Sequence, residues 1–286
     1  MTFLDEPPTT FELVPLALYI TAALYAWLGI YTLRQRAQGV TVIYFVWMML
    51  AMAWWSASYG VEVQVTELSA KLFWVKVEFP AIAFIPVSWL FFILEYIGQS
   101  RLLTRRNKVI VAIFPVLTVL AMWTNEAHHL FYIENHIETT NGLTLLVVEN
   151  GPFFLAFFAY LYLLLGIGSV LLLVQTFRGY SMFRAQAIAI LLATLSPWIA
   201  SAVYIAGLVP IPGLDITPFS FIPTGVLFAW AIARYHLLDI VPPQLDIILQ
   251  RLSDGVVVLD ARQRALYMNH AAEEILSQTA HGSLGQ

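Results

Sequence analysis

The sequence predicts an all-α membrane protein: a bundle of seven transmembrane helices, N-terminus outside and C-terminus in the cytoplasm, with a short external β-hairpin. Three observations carry this expectation. Of 286 residues, 60% are hydrophobic and 11% charged, where a soluble domain carries about 25% charged residues. Seven stretches are near the ~20 apolar residues that a helix needs to cross a hydrocarbon core: about 12–33, 40–62, 72–97, 108–124, 152–177, 185–209 and 218–234. The basic residues fall in alternate loops, and short-loop Lys and Arg mark the cytoplasmic side.

Helix is dictated for each stretch, because lipid satisfies no backbone polar group. The leader MTFLDEPPTTF has Asp5 and Glu6 but no basic residue, so no cleavable signal is expected. Arg34 and Arg36 follow span 1; Arg101, Arg105, Arg106 and Lys108 follow span 3; Arg178 and Arg184 separate spans 5 and 6; Arg234 closes span 7. The N-terminus, 125–151 and 210–217 have no Lys or Arg, and the loop between spans 2 and 3 has only Lys71. Prolines 80, 86, 115, 197 and 223 lie inside spans, where each removes a donor and can kink its helix.

Span 2 carries WWSASYGVE at 54–62. Trp54, Ser58 and Glu62 share one helical face, and Trp55, Tyr59 and Glu62 an overlapping one. Aromatic walls with a few polar groups suit a small-molecule pocket, and an interfacial aromatic belt has the same composition. Span 3 holds Lys76 and Glu78, two residues apart and therefore on different faces. Lys76 needs a partner from another helix, and Glu62 is the first choice. Trp54, Ser58, Tyr59, Glu62, Lys76 and Glu78 are the candidate ligand-binding residues, with Lys76 facing a polar or anionic ligand. Snorkelling of Lys76 and Glu78 to the interface is the plainer alternative. Glu95, at the other end of span 3, is expected to meet Arg101, Arg105 or Arg106.

Span 4 ends in WTNEAHHLFY, 123–132. Trp123 and Tyr132 suit interfacial anchors, and Asn125 can stop or cap a helix. Adjacent histidines diverge on either a helix or a strand. A metal site from His128 or His129 with Glu126 and His136 would need the loop to fold back, so no metal is expected. A structural junction is preferred over pH sensing. Beyond it, Asn141-Gly142 between alternating stretches is a two-residue hairpin signal. A hairpin across the outer mouth of the bundle is expected, carrying Glu126, Glu134, Glu138 and Glu149.

After span 7 the composition changes. Pro242-Pro243 breaks the chain, and Leu245, Ile248, Leu249 and Leu252 then form one apolar stripe. The stripe can pack on its own domain or on a second copy. Residues 253–276 follow as strand, turn, strand and helix, with strand Val256–Leu259, a turn over Asp260–Arg264 and Asn269 as helix cap, and the last ten residues show no periodicity.

The stretches 73–98, 123–132, 151–168 and 233–260 make the chain resemble the N-terminal seven-span sensor region of bacterial and archaeal histidine kinases. The segment from 254 to about 276 resembles the opening of a PAS domain, a partial α+β tail of about 42 residues after Leu245, against roughly 100 for a typical small domain. The resemblance implies a sensor domain at 1–238, a signalling linker helix at 239–252 and a partial PAS-like domain at 253–286. It implies a multi-pass protein of the prokaryotic plasma membrane. An unknown small-molecule ligand would be detected on the outer side. The signal would pass through Leu238, Asp239, Pro242 and Pro243 to a cytoplasmic kinase or other output module, with a homodimer as the working unit. Asn125 and His129 sit at that family's motif and are expected to order the outer loop. No phosphoacceptor helix and no nucleotide site is present, so the chain by itself is expected not to be an enzyme: either a truncated sensor or one whose catalytic partner lies elsewhere.

Other classes fit less well. Cysteine is absent, which excludes disulfides, iron–sulfur clusters and thiolate zinc. A retinal protein needs a lysine in span 7, and haem between helices needs histidines within spans; neither is present. No cofactor and no nucleic-acid partner is expected. A small-molecule transporter or a non-signalling membrane binding protein is the alternative, although no internal repeat is visible.

Overall fold

The computed structural model describes residues 10–34, 40–140, 142–178, 181–235, 252–259 and 265–275. The chain divides into two compact units, 1–239 and 240–286. The expected relay residues Leu238, Asp239, Pro242 and Pro243 and nearly all of the 245–252 stripe lie outside the described residues.

The first unit is built from helices α1 (Thr10–Arg34), α2 (Val40–Gln64), α3 (Leu68–Tyr96), α4 (Arg105–Trp123), the single turn α5 (Asn125–His128), α6 (Pro152–Arg178), α7 (Ser181–Ile205) and α8 (Thr217–Tyr235), with strands β1 (Tyr132–Thr140) and β2 (Leu143–Asn150) between α5 and α6. Six helices are long and apolar enough to cross a membrane: α1, α2, α3, α4, α6 and α7. The seventh expected span is α8, whose apolar part, Thr217–Ile232, is shorter. At 1.5 Å per residue, its 19 residues extend about 28 Å.

Six helices close a ring. α1 packs on α2, α2 on α3, α3 on α6, α6 on α7, α7 on α8, and α8 back on α1. α4 stands outside, against α3 and α6, and buries only Pro115, Thr118 and Met122. The ring leaves a central space between α2, α3, α6, α7 and α8.

The in-span prolines show how this packing satisfies the backbone. A helical proline leaves the carbonyl four residues earlier without a donor. Trp123 Nε1 donates to the Lys76 carbonyl at 3.2 Å, opposite Pro80. Tyr160 donates to the Val111 carbonyl at 2.6 Å, opposite Pro115. Thr224 donates to the Ala193 carbonyl at 2.7 Å, opposite Pro197. Each freed acceptor is thereby converted into a contact between helices, which hydrocarbon would otherwise leave unpaired. Trp54, 56% exposed, donates to the Val77 carbonyl beside the Pro80 site.

One end of the ring carries the basic residues. Thr104 caps α4 by accepting from Asn107 N at 3.2 Å, and Arg101, Arg105 and Arg106 are exposed there. Glu95 accepts from Ser100 Oγ at 2.6 Å in place of the arginine partner expected from the sequence; a tight turn through Gly98, at φ 74°, brings that hydroxyl back.

The opposite end carries the hairpin. β1 and β2 pair antiparallel with Thr140 opposite Leu143, a two-residue connection as the Asn-Gly signal predicts. Gly142 sits at φ 82°, the left-handed conformation such a turn requires. β2 is the inner strand: Leu143, Leu145 and Leu146 are buried, while Glu134, Glu138 and Glu149 are exposed. β2 rests on α2. Beneath the hairpin Phe79, Phe131, Phe154 and Phe157 form an aromatic layer, with Phe79 and Phe131 edge to face at 4.8 Å. Such edge contacts add to the area they bury.

In the second unit, β3 (Val257–Leu259) pairs antiparallel with β4 (Ala265–Met268), and residues 270–275 are helical. Asn269 caps that helix: its Oδ1 accepts from Ala272 N at 2.9 Å and from Val256 N at 2.8 Å. One side chain thus ties helix start to strand start.

Candidate functional site: a cavity beneath the hairpin

The central space of the ring is a cavity of about 340 Å³. Its walls come from α2, α3, α6, α7 and α8, and β2 with the segment 206–216 covers the hairpin end. Gly213 lets that segment meet the hairpin. It stands at φ 77°, and a side chain there would reach within 2.5 Å of the Leu146 carbonyl.

The lining is divided by depth. Met48, Met52, Ile82, Ile85, Leu161 and Leu165 supply apolar walls. Polar groups gather where helix ends and loops meet the hairpin: Tyr59 and Glu62 near the end of α2, Glu78 on α3, Asn150 ending β2, Ser201 and Tyr204 near the end of α7, and Asp215 just before α8. Convergent polar groups at one end of an apolar cleft are the usual form of a small-molecule site.

Glu62 is neutralised. Lys71, in the first turns of α3, places Nζ 3.0 Å from Glu62 Oε1 and 2.7 Å from the Glu62 carbonyl, and both side chains are buried. The sequence pointed to Lys76 for this role. Instead Lys76 reaches outward to Glu126 of α5. The reason is the short turn 65–67, which folds α3 antiparallel to α2 and brings position 71, not 76, opposite position 62. Lys71, the lone Lys or Arg in the loops expected to be outside, is therefore held in a buried ion pair.

Glu78 is buried, 4% exposed. The Trp55 side chain hydrogen-bonds its carboxylate, and among the described residues its Oε1 has no partner. Asn150 Oδ1 and Trp198 Nε1 are likewise buried and unpartnered, and both residues line the cavity. Asp215 Oδ1 accepts from Thr217 N at 2.8 Å, and Asp215 N donates to the Tyr59 hydroxyl at 2.8 Å. Burial pushes the Asp215 carboxyl up to about 6, against the opposing pull of its Thr217 hydrogen bonds. Burial likewise raises the Tyr132 phenol, and the neighbouring acids Glu78, Asp215 and Glu62 push the same way.

Of the residues singled out in the sequence, Tyr59, Glu62 and Glu78 line the cavity. Trp54, Ser58 and Lys76 do not: Trp54 is on the exposed face of α2, Ser58 donates to the Trp54 carbonyl within the helix, and Lys76 pairs with Glu126. No motif in the sequence singles out Trp198, Tyr204, Asp215 and Asn150, which also line the cavity. Aromatics near span ends and acids in short loops look ordinary in one dimension. The signal that points to Asp215 is its place in a 210–217 loop with no cation to pair it.

Asn125 and His129 build the hinge of the hairpin. Asn125 is buried; its Nδ2 donates to the Tyr132 carbonyl at 2.9 Å, and its Oδ1 accepts from Phe131 N at 2.9 Å and Tyr132 N at 3.1 Å. His129 ends α5 at φ 51°, a left-handed conformation uncommon outside glycine. His128 Nδ1 accepts from Leu130 N at 3.0 Å. Among the described residues no group of histidines and acids is arranged to hold a metal. Glu126 lies below the ordinary carboxylate range because Lys76 donates to it.

A search of the curated proteins and a search of the solved structures returned no match. The sequence does match the family described as the N-terminal 7TM region of histidine kinase, over residues 13–242. That stretch takes in the whole ring, the hairpin and the cavity, and the chain belongs to this family of membrane sensor regions of histidine kinases.

Proposed function

We propose that this chain detects a small molecule in the cavity beneath the hairpin and passes the event through α8 to a cytoplasmic output module. In this reading α8 is a seventh crossing, the hairpin end is outside and the basic end is cytoplasmic, in keeping with the positive-inside rule. The observation that carries it is the cavity itself: a ring of helices encloses polar groups without partners, directly under a hairpin held by Asn125.

Sensing needs a ligand that binds one packing of the ring better than another. α8 suits transmission: its start lines the cavity through Thr217 and Phe221, and its contacts to α1 and α7 run along the helix. Tyr25 on α1 donates to the Phe221 carbonyl at 2.8 Å, so a shift of Phe221 reaches two helices. Beyond α8, the 239–252 linker would carry the shift to a PAS-like module and a kinase domain, with two copies acting as a pair.

The test is a chimera joining residues 1–252 to the catalytic part of a histidine kinase, assayed for autophosphorylation. Ile82→Trp places a bulky ring in the cavity and takes up part of its space. It should change activity about fivefold or more, the lower end of typical coupling between sites. Leu163→Trp, on an exposed face of α6, is the control. Equal activity in all three chains would refute the reading.

A further inference from the structure

We infer that the cavity takes an organic cation: a ligand with a protonated amine at the hairpin end and an apolar body between the helices. The inference rests on the cavity being the sensor's binding site and adds the chemical class of what it binds.

Charge is the first argument. Three carboxylates line the cavity, on Glu62, Glu78 and Asp215, and among the described residues no Lys, Arg or His lines it. Lys71 is held by Glu62, through both its side chain and its carbonyl. Lys76 is turned away to Glu126. Among the described residues Glu78 and Asp215 therefore face the cavity with no cation paired to either, Lys71 acting on Glu78 only from within its pair with Glu62. An anionic ligand would meet two acids with no ion-pair partner of their own, which is how a site rejects the wrong charge.

Hydrogen-bonding capacity is the second, independent argument. Among the described residues Glu78 Oε1 and Asn150 Oδ1 are buried acceptors without partners, against one such donor in the lining, Trp198 Nε1. Two waiting acceptors call for a donor. An ammonium group carries three N–H donors and no acceptor, which matches the excess of acceptors at this end. The neighbouring Thr217 N is already committed to Asp215.

The walls complete the fit. Trp55, Tyr59, Tyr132, Trp198 and Tyr204 surround the acidic end, and aromatic faces attract a desolvated cation. Below them the lining is apolar, including Ile82, Ile85 and Leu161. A volume of about 340 Å³ is at the small end of ligand pockets, which favours an aryl-alkyl or short alkyl amine over a bulky one.

The test is calorimetric titration of the full chain in lipid nanodiscs, with empty discs as the blank. Three probes share one body and differ in charge: 2-phenylethylammonium, 2-phenylethanol and 3-phenylpropanoate. The ammonium should bind at least about tenfold more tightly than the alcohol, a difference of 1.4 kcal/mol, and the carboxylate should not bind. Glu78→Gln keeps the shape and should cost the ammonium about tenfold while leaving the alcohol unchanged. Asp215→Asn is the second variant, and Glu134→Gln on the exposed strand β1 is the control. Alcohol or carboxylate binding as tightly as the ammonium would overturn the charge assignment and keep the cavity as a site. Unchanged ammonium affinity in both acid variants would overturn it too. Failure of all three probes would remove the site along with its charge.

Discussion

Lys71 and Glu62 form a buried ion pair at 3.0 Å, linking the first turns of α3 to the last turns of α2. Neither charge has access to solvent, so each depends on the other. Breaking one member of such a pair typically costs about 3–5 kcal/mol, because a lone charge is left buried. Lys71→Met should therefore lower the thermal midpoint sharply. Adding Glu62→Gln to Lys71→Met should recover most of the loss. A melting series of wild type, both single variants and the double variant measures this; additive losses would contradict it. By contrast, Lys76→Met removes a pair whose Glu126 side chain is 62% exposed and should change stability little.

Asn125 holds the hairpin through three hydrogen bonds to Phe131 and Tyr132. Asn125→Leu would leave two buried N–H groups and a carbonyl unpaired, at about 1–3 kcal/mol each before relaxation. The loss should be local. Hydrogen exchange at residues 130–150 should speed by about 30-fold or more, an opening cost of roughly 2 kcal/mol, with α2 and α3 much less affected. Asn125→Asp keeps both accepted bonds and should fall between.

Thr224 donates to the Ala193 carbonyl that Pro197 cannot serve. Thr224→Val keeps the volume and removes the donor. Hydrogen bonds between membrane helices average about 0.6 kcal/mol and reach about 1.7, so a loss in that range is expected. In the Pro197→Ala background the helix supplies its own N–H, and Thr224→Val should then cost distinctly less. Unfolding of the four variants in mixed micelles gives the coupling; equal losses in both backgrounds would show that the carbonyl is not Thr224's role.

Asp215 carries the pH dependence that the structure makes explicit. Its carboxyl is raised from 3.8 to about 6 by burial. The folded chain therefore holds a proton that the unfolded chain has released across that window. Stability contributed by this group falls as pH rises from about 4 to about 6 and is level above it. Asp215→Asn should flatten that part of the profile and leave the chain more stable at pH 7. Glu126 runs the opposite way: its lowered carboxyl contributes a little stability above its ordinary range and loses it on acidification, a small effect for an exposed pair.

Much of this architecture is legible in one dimension, and the reasons are physical. Helix boundaries follow from apolar length, so all seven expected stretches coincide with helices to within a few residues. The hairpin follows from Asn141-Gly142, and the Asn269 cap from its place before Glu273 and Glu274. Side-chain partnership is harder. Choosing Lys71 over Lys76 for Glu62 depends on how tightly residues 65–67 turn. Helical spacing places Trp54 and Tyr59 on neighbouring faces without saying which face meets lipid, and the ring settles that Tyr59 turns inward. Asp215, Trp198 and Asn150 come together only through contacts between α7, α8 and the hairpin. No local pattern encodes such contacts, and they decide the charge of the site.

In the proposed sensing mechanism the cavity end of the bundle is coupled to the far end of α8. Because the chain has no cysteine, spin labels can be placed cleanly at Ser100→Cys and Ala233→Cys, and their separation measured by double electron–electron resonance in nanodiscs. With Ile82→Trp in the cavity, the distance distribution should shift by about 1–2 Å or more, the scale of helix displacements in switching proteins. The same labels with Leu163→Trp should match the unsubstituted chain. Superimposable distributions for the Ile82→Trp and unsubstituted chains would rule out this coupling.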